Sequence, residues 1–395
     1  MLLSLSLFSQ REVKEAPVKR ASIDSIKKEK DVIDVFHMRK LATEDNIPAR
    51  HTIKPRFTGV PFIGYTLATR LAGILAGNVA FYMDENPITN QSAVSASISY
   101  SQNKQIVLPI LSNIWTRGNG YNFVGNWRYY KYPEKTYGLG GHTDQSKYTE
   151  LDYTFLLFRE AVLKHFKGTE FYAGVGYNLS YHFNIEQSGA AAGELTDFDK
   201  YGRESSSLST GVSLHLLYDH RGNTINPPGG GGYAGVVYCP YSKLFGGYSN
   251  WQSLVVDLRK YFRVGRKNVL GVWSYTWLTF GGNAPYLDLP STQWDNYGNV
   301  GRGYIQSRLR GQNLLYIESE YRFRITKGGL LGGVLFANAQ SVSDWPGNKF
   351  TTIYPAVGTG LRLKLNKFSG TNLTIDYAFG INGSRGLFIN IGEAF

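Results

Sequence analysis

The sequence predicts an all-β protein: a transmembrane antiparallel β-barrel of about sixteen strands, preceded by a short helical extension. Three observations lead to that class. The composition is rich in aromatics and glycine without a long apolar run, most of the chain reads as ribbons alternating apolar and polar residues, and the last ribbon runs to an aromatic end.

Aromatic residues make up 14% of the 395 residues, with 28 Tyr, 22 Phe and 7 Trp beside 45 Gly, while charged residues reach only 18%. That charge content is low for a soluble chain of this length. No stretch of ~18 or more apolar residues is present, which excludes a helical membrane protein. A wall that turns one face to lipid and the other to water produces this mixture. The lone cysteine, Cys239, excludes an internal disulfide and a thiolate-rich metal site, and is expected as a small apolar residue, buried or lipid-facing. The formal charge of +12 raises the question of nucleic acid. The basic residues are spread over strands and loops, with no basic helix and no RNA-binding aromatic signature, so nucleic acid is not expected as a partner. Positive charge facing anionic lipid or lining a lumen accounts for the balance.

Two textures divide the chain after its first residues. Leu2-Leu3-Ser4-Leu5-Ser6-Leu7-Phe8-Ser9 reads as the apolar core of an export signal, assigned to residues 1–9 although a basic leading region is missing. Residues 10–58 form a charged extension. Within it Ser22 to Thr43 reads as a helix, with Ser22 as cap and Ile26, Ile33, Phe36 and Leu41 at near-helical spacing. Such a helix fits the membrane surface, the mouth of a barrel, a protein partner or second copy, or a solvated tail, and the pattern leaves these open.

Residues 59–395 are the barrel. In Leu315 to Ile325 the odd positions are mostly apolar, while Glu318, Glu320, Arg322 and Arg324 occupy even ones. Asp257 and Arg259 lie opposite Leu254, Val256 and Leu258. Leu361, Leu363 and Leu365 alternate with Arg362 and Lys364, and Leu373, Ile375, Tyr377 and Phe379 alternate with Thr374 and Asp376. Successive side chains on a strand point to opposite faces, so each ribbon is apolar on one side and ionic on the other. Trp127, Tyr129, Tyr130, Trp273, Tyr275 and Trp277 sit near run ends, where aromatic girdles at the two interfaces are expected. Leu387, Ile389, Ile391 and Phe395 read as one face of a closing strand, the edge that assembly machinery reads by strand pairing.

Two loop motifs go beyond a generic barrel. Tyr218-Asp219-His220-Arg221-Gly222-Asn223-Thr224-Ile225-Asn226-Pro227-Pro228-Gly229 leads into Gly230 to Gly232, and Val300-Gly301-Arg302-Gly303-Tyr304 lies in a long loop from about Gly281 to Gln312. No Lys-Ser/Thr and helix follow the glycines, so a phosphate-cradling loop is rejected.

Together these motifs resemble the bacterial surface-antigen superfamily of outer-membrane barrels, which includes the barrel-assembly insertase, the translocation-and-assembly module and the two-partner-secretion transporters. Its members carry a hairpin of the form D-x-R-D-N-P…P-x-x-G and a loop motif (V/I)-R-G-(F/Y). The resemblance spans about Pro61 to Phe395 and implies a sixteen-stranded outer-membrane barrel whose Arg-Gly-aromatic loop is tucked into the lumen. Asp219, Arg221, Asn223, Pro227 and Gly229 map onto the hairpin, with Gly222 and Thr224 departing from it. Arg302, Gly303 and Tyr304 map onto the loop, with Glu320 where the family places a partner and Asn338 where an Asp is usual. A guanidinium folded into a lumen has to be met by fixed acceptors, and an amide offers a weaker bond than a carboxylate. The replacement is therefore expected to weaken the clamp, and the loop to brace the wall opposite the first–last strand seam.

The resemblance implies insertion or movement of protein or lipid at the outer membrane, with lipopolysaccharide and the barrel-assembly machinery as surroundings. The periplasmic POTRA repeats of the larger members have no counterpart in the ~50 residues ahead of the barrel, too few for a domain of usual size. A passive pore or an oligomeric structural barrel is the alternative. His37, His51, His142, His165, His182, His215 and His220 are scattered and fit no catalytic motif, so no enzyme, metal or cofactor is expected.

Overall fold

The computed structural model describes residues 29–35, 53, 55–86, 89–189, 195–296, 298–367 and 370–395. Sixteen antiparallel strands close into a barrel: β1 (Arg56–Thr66), β2 (Arg70–Phe81), β3 (Ser92–Ser101), β4 (Ile106–Trp115), β5 (Tyr121–Lys131), β7 (Thr149–His165), β8 (Phe171–Ser188), β9 (Ser206–Asp219), β10 (Gly232–Tyr241), β11 (Trp251–Val264), β12 (Asn268–Phe280), β13 (Asn313–Arg324), β14 (Leu331–Val342), β15 (Tyr354–Asn366), β16 (Thr371–Gly380) and β17 (Arg385–Ile391). An extra strand of three residues, β6 (Glu134–Thr136), pairs with the start of β7. Each strand pairs with its sequence neighbours, and β1 meets β17 to close the ring. We call the rim where β1 begins the base, and the opposite rim the crown.

The alternation read from the sequence becomes the wall. Along β13 the burial alternates residue by residue: Glu318 and Glu320 are enclosed, whereas Ile317 is 54% exposed. Leu216, Leu335, Val357 and Leu361 are likewise exposed on the outside. A soluble fold would bury these side chains and leave the carboxylates in water. The distribution is inverted here, as a hydrocarbon surround demands.

The aromatic placement differs from the expectation of girdles. Trp273 and Tyr275 lie mid-strand on β12 and point into the lumen, buried, where the Trp273 indole N–H donates to Asp257 at 2.9 Å. Trp127 and Tyr129 do face outward, Trp127 stacking on Phe158. Run position alone did not separate the two groups, because an inward Trp with a carboxylate partner satisfies its N–H as well as an interfacial one does.

Long crown loops fold over and into the barrel. Arg310 of the 281–312 loop pairs with buried Glu134 at 2.9 Å, and Asp288 accepts the hydroxyls of Ser180 and Ser209 at 2.6 and 2.7 Å. A short helix, α2 (Asp197–Gly202), caps itself through Thr196 and Asp199 and buries Phe198 in this layer. Asp344 receives the Gly141 N–H at 2.8 Å. Burial pushes the Asp344 carboxyl up, but the Thr351 hydroxyl, the Gly141 amide and His142 hold it below the usual carboxylate range.

The base is also covered. Of the helix expected over Ser22 to Thr43, only 29–35 are described, with one helical turn, α1 (Val32–Val35); Ser22, Ile26, Phe36 and Leu41 lie outside the described residues, as does the 1–9 segment. Glu29 pairs with Arg324 and, at 2.7 Å, with Lys364, while Asp34 pairs with Lys367 at 2.9 Å. The extension thus docks by charge on the β13–β14 and β15–β16 turns.

Replacing Ile317 by Arg tests the inversion. We expect a loss of about 2–4 kcal/mol for a cation at mid-bilayer depth, read as a lower urea midpoint in lipid vesicles. An unchanged midpoint would mean that this face meets water.

Candidate functional site: the luminal loop

The loop from Gly281 to Gln312 leaves β12 at the crown, descends into the lumen and returns to β13. Its tip is built on glycine. Gly301 and Gly303 have φ of +85° and +106°, and a Cβ on Gly303 would lie 2.9 Å from the Ala356 Cβ. The chain turns there against the inner wall of β15 and β16, where only glycine fits both the backbone and the space.

Arg302, between them, is buried against three carboxylates. Its Nη2 donates to Glu318 and to Glu320, and its Nη1 reaches Asp376 Oδ2 at 2.8 Å. The guanidinium lies over the Phe336 ring, 3.8 Å from the centroid. Arg322 donates to Glu320 at 2.7 Å and to the Phe395 main-chain oxygen at 2.8 Å. Arg362 donates to Asp376 and, at 2.7 Å, to Glu393. Three guanidinium groups therefore interlock with four carboxylates from β13, β16 and the segment after β17. Charges so enclosed gain little net stability as a set, since desolvation offsets attraction, but removal of one member leaves its partners uncompensated. The network fixes position more than it adds stability.

Tyr304 fixes the next step of the loop. Its hydroxyl donates to the Pro355 carbonyl and accepts the Ile381 N–H at 3.1 Å, and its ring fills the space above Gly380, where a Cβ would lie 2.6 Å from the ring carbon. Ser384 donates to the Gly303 carbonyl at 2.8 Å.

The structure places Arg302, Gly303, Tyr304, Glu320 and Asn338 together, with two changes from the sequence reading. Asn338 does not substitute for a carboxylate on the guanidinium: its Nδ2 donates to the Arg302 carbonyl at 3.0 Å and sits 3.4 Å from Glu318 Oε2. The third carboxylate is Asp376, on β16. Sequence alternation already put Asp376 inside, but nothing local tied it to a loop 74 residues earlier. Arg362 and Glu393 were missed in the same way. The Arg302 tip rests on β13 to β16, towards the β17 side of the seam, while the wall opposite the seam is met by another part of the loop, Asp288, at Ser180 and Ser209.

The hairpin motif lies apart, at the base between β9 and β10. Arg221 forks onto Asp219 with bonds of 2.8 and 2.6 Å and lies over the Tyr233 ring. Asn223 Oδ1 accepts the N–H groups of Ile225 and Asn226 at 2.8 and 3.0 Å, turning the chain. Pro227 and Gly229 are buried, Gly229 against the Arg263 backbone. Asn226 then reaches the Gly370 carbonyl at 3.3 Å, so the hairpin crosses the base towards the β15–β16 turn.

At the C-terminal end, Leu387, Ile389 and Ile391 lie on the outward side of β17, but Phe395 does not share their face. The strand ends at Ile391, Gly392 turns with φ +100°, and Phe395 folds inward onto Trp273 and Tyr261. Strand parity fails there because the strand has already stopped.

A sixteen-stranded barrel with a glycine-hinged loop clamped inside it defines the class of this protein. No family model matches the sequence, and no curated protein matches it. Solved structures do. The barrel is similar to BamA from Haemophilus ducreyi lacking POTRA domains 1–3 (12% identity, TM-score 0.52, covering 86% of this chain and 70% of that one). It is similar also to CdiB from Escherichia coli (12%, TM-score 0.57, 85% and 62%) and to CdiB from Acinetobacter baumannii (11%, TM-score 0.53, 86% and 60%). In fold, then, this chain is a BamA-like barrel. It spans less than two thirds of the length of either CdiB structure.

Two substitutions probe the clamp. Arg302→Ala strands buried Glu318 and takes a cation from Glu320 and Asp376, and is expected to cost about 3–5 kcal/mol, seen as a lower temperature for loss of the compact, heat-modifiable form on electrophoresis. Asn338→Asp is expected to destabilise as well, because it removes the donor to the Arg302 carbonyl and adds a carboxylate beside Glu318. A rise in that temperature would show the amide to be the weaker choice.

Proposed function

We propose that this protein is an integral outer-membrane barrel that assists insertion or translocation of protein or lipid, acting without enzymatic turnover. One observation carries the reading: the seam. β1 and β17 share a single register pair, Tyr65 with Ile389, whereas β7 and β8 pair from Glu150–Ser188 to His165–Tyr172 and β1 and β2 from end to end. Backbone groups left unmatched at an edge are costly in hydrocarbon and offer a template to an incoming strand. The luminal clamp supports this role, since it holds β13 to β16 rigid next to the strand that would part. The fold likeness to BamA and CdiB and the two surface-antigen motifs point the same way. Under this reading the surroundings are outer-membrane lipid and lipopolysaccharide, the barrel-assembly machinery acts during biogenesis through the Leu387–Ile389–Ile391 edge and Phe395, and residues 10–58 offer a contact for a partner or a second copy.

The test is to lock the seam. Cysteines in place of Tyr65 and Ile389, in a Cys239→Ala background, stand at directly opposed positions with Cα spacing of about 4.5–5.5 Å, within disulfide reach. We expect oxidation to abolish client insertion into vesicles and reduction to restore it. Full activity in the oxidised form would remove seam opening from the mechanism, and steady ion-selective openings in both forms would favour the passive pore.

A further inference from the structure

The lumen is filled unevenly. On the β12–β16 side every inward cation named above has a carboxylate partner. On the opposite side, along β4 and β5, inward Leu111, Asn113 and Val124 remain exposed, so space open to water runs beside them. Arg128 of β5 and Arg159 of β7 face that space from neighbouring strands, and among the described residues neither has a carboxylate partner.

What they touch instead is amide. Arg128 Nη2 donates to the Asn296 carbonyl at 2.6 Å and its Nε to Asn126 Oδ1 at 2.8 Å. Arg159 Nη1 donates to Asn296 Oδ1 at 3.1 Å, and its Nε is enclosed with no acceptor. Two guanidinium groups thus converge on one neutral residue at the edge of the luminal loop, Arg128 on its main-chain carbonyl and Arg159 on its side chain. The nearby acids are turned elsewhere: Glu160 faces outward and accepts the Trp127 indole N–H at 3.1 Å, and Asp295 Oδ1 accepts the Asn299 and Val300 N–H groups, both at 2.9 Å. A buried guanidinium N–H without an acceptor costs free energy, and two like charges held together repel.

We propose that Arg128 and Arg159 form an anion site in the open half of the lumen, taking a phosphate-type oxyanion. Paired guanidinium forks present parallel N–H donors that match the oxygens of phosphate, a geometry that a single chloride does not use. Such an anion lies between the two guanidinium groups on their open side, beside Asn126 and Asn296, and not at the enclosed Arg159 Nε. The same chemistry is carried by free phosphate and by the phosphodiester of a lipid headgroup. The site is independent of the seam and goes beyond the insertion role.

The experiment is calorimetric titration of inorganic phosphate into the full-length barrel in maltoside detergent at low salt, repeated with short-chain phosphatidylglycerol. We expect saturable binding that weakens ~10-fold or more in Arg128→Gln/Arg159→Gln, the loss of charged hydrogen bonds. Arg128→Lys/Arg159→Lys should retain part of it, and Lys349→Gln, at an exposed crown position, should retain all of it. Heat-modifiable migration checks that each variant is folded. Phosphate binding marks a small-ion site, and binding of phosphatidylglycerol alone marks a headgroup site. No binding of either probe, or equal binding in the double Gln variant, overturns the proposal.

Discussion

The structure depends on a guanidinium taken out of water. Arg302 is enclosed in the lumen by Glu318, Glu320 and Asp376, and without it Glu318 would lose its cation while the other two would keep only part of their compensation. Because Glu320 and Asp376 are shared with Arg322 and Arg362, the loop tip, three strands of the wall and the segment after β17 become one unit. The constraint is positional. Desolvation cancels most of the attraction, so the network selects one arrangement without adding much stability.

That rigid unit ends where the seam begins. β17 pairs fully with β16 and at one position with β1, so stiffness falls off abruptly at the junction of the two chain ends of the barrel. Both rims add to the asymmetry. Crown loops and the base hairpin brace the β8–β16 arc, and the described part of the N-terminal extension docks on the β13–β14 and β15–β16 turns. The β1–β5 arc carries short crown turns at 67–69 and 102–105 and has open space beside its inner face. One half of the barrel is packed on its luminal side and the other leaves inward residues such as Leu111 and Val124 exposed.

Much of the wall was legible from residue order. Period-two alternation in Leu315–Ile325, Leu254–Phe262 and Leu373–Phe379 assigned the inward and outward faces correctly, because side-chain direction on a strand is local geometry. The Arg302–Gly303–Tyr304 loop and Glu320 could be singled out through motif likeness. Trp273 and Phe395 could not be placed. Whether a tryptophan sits at an interface or against a luminal aspartate depends on what the opposite strand offers, and Phe395 turns inward only because the strand stops at Ile391.

Residue order was sufficient for a closed sheet, apolar outside and ionic within, since alternation, turn residues and composition act over a few neighbours. Which charges meet inside was settled by closure. Curling the sheet brings Asp376 to Arg302 across 74 residues, gives Asn338 a backbone carbonyl in place of a guanidinium, and leaves Arg128 and Arg159 facing amides. Pairing across a lumen is set by strand register and barrel curvature, which are properties of the whole ring and are absent from any one strand.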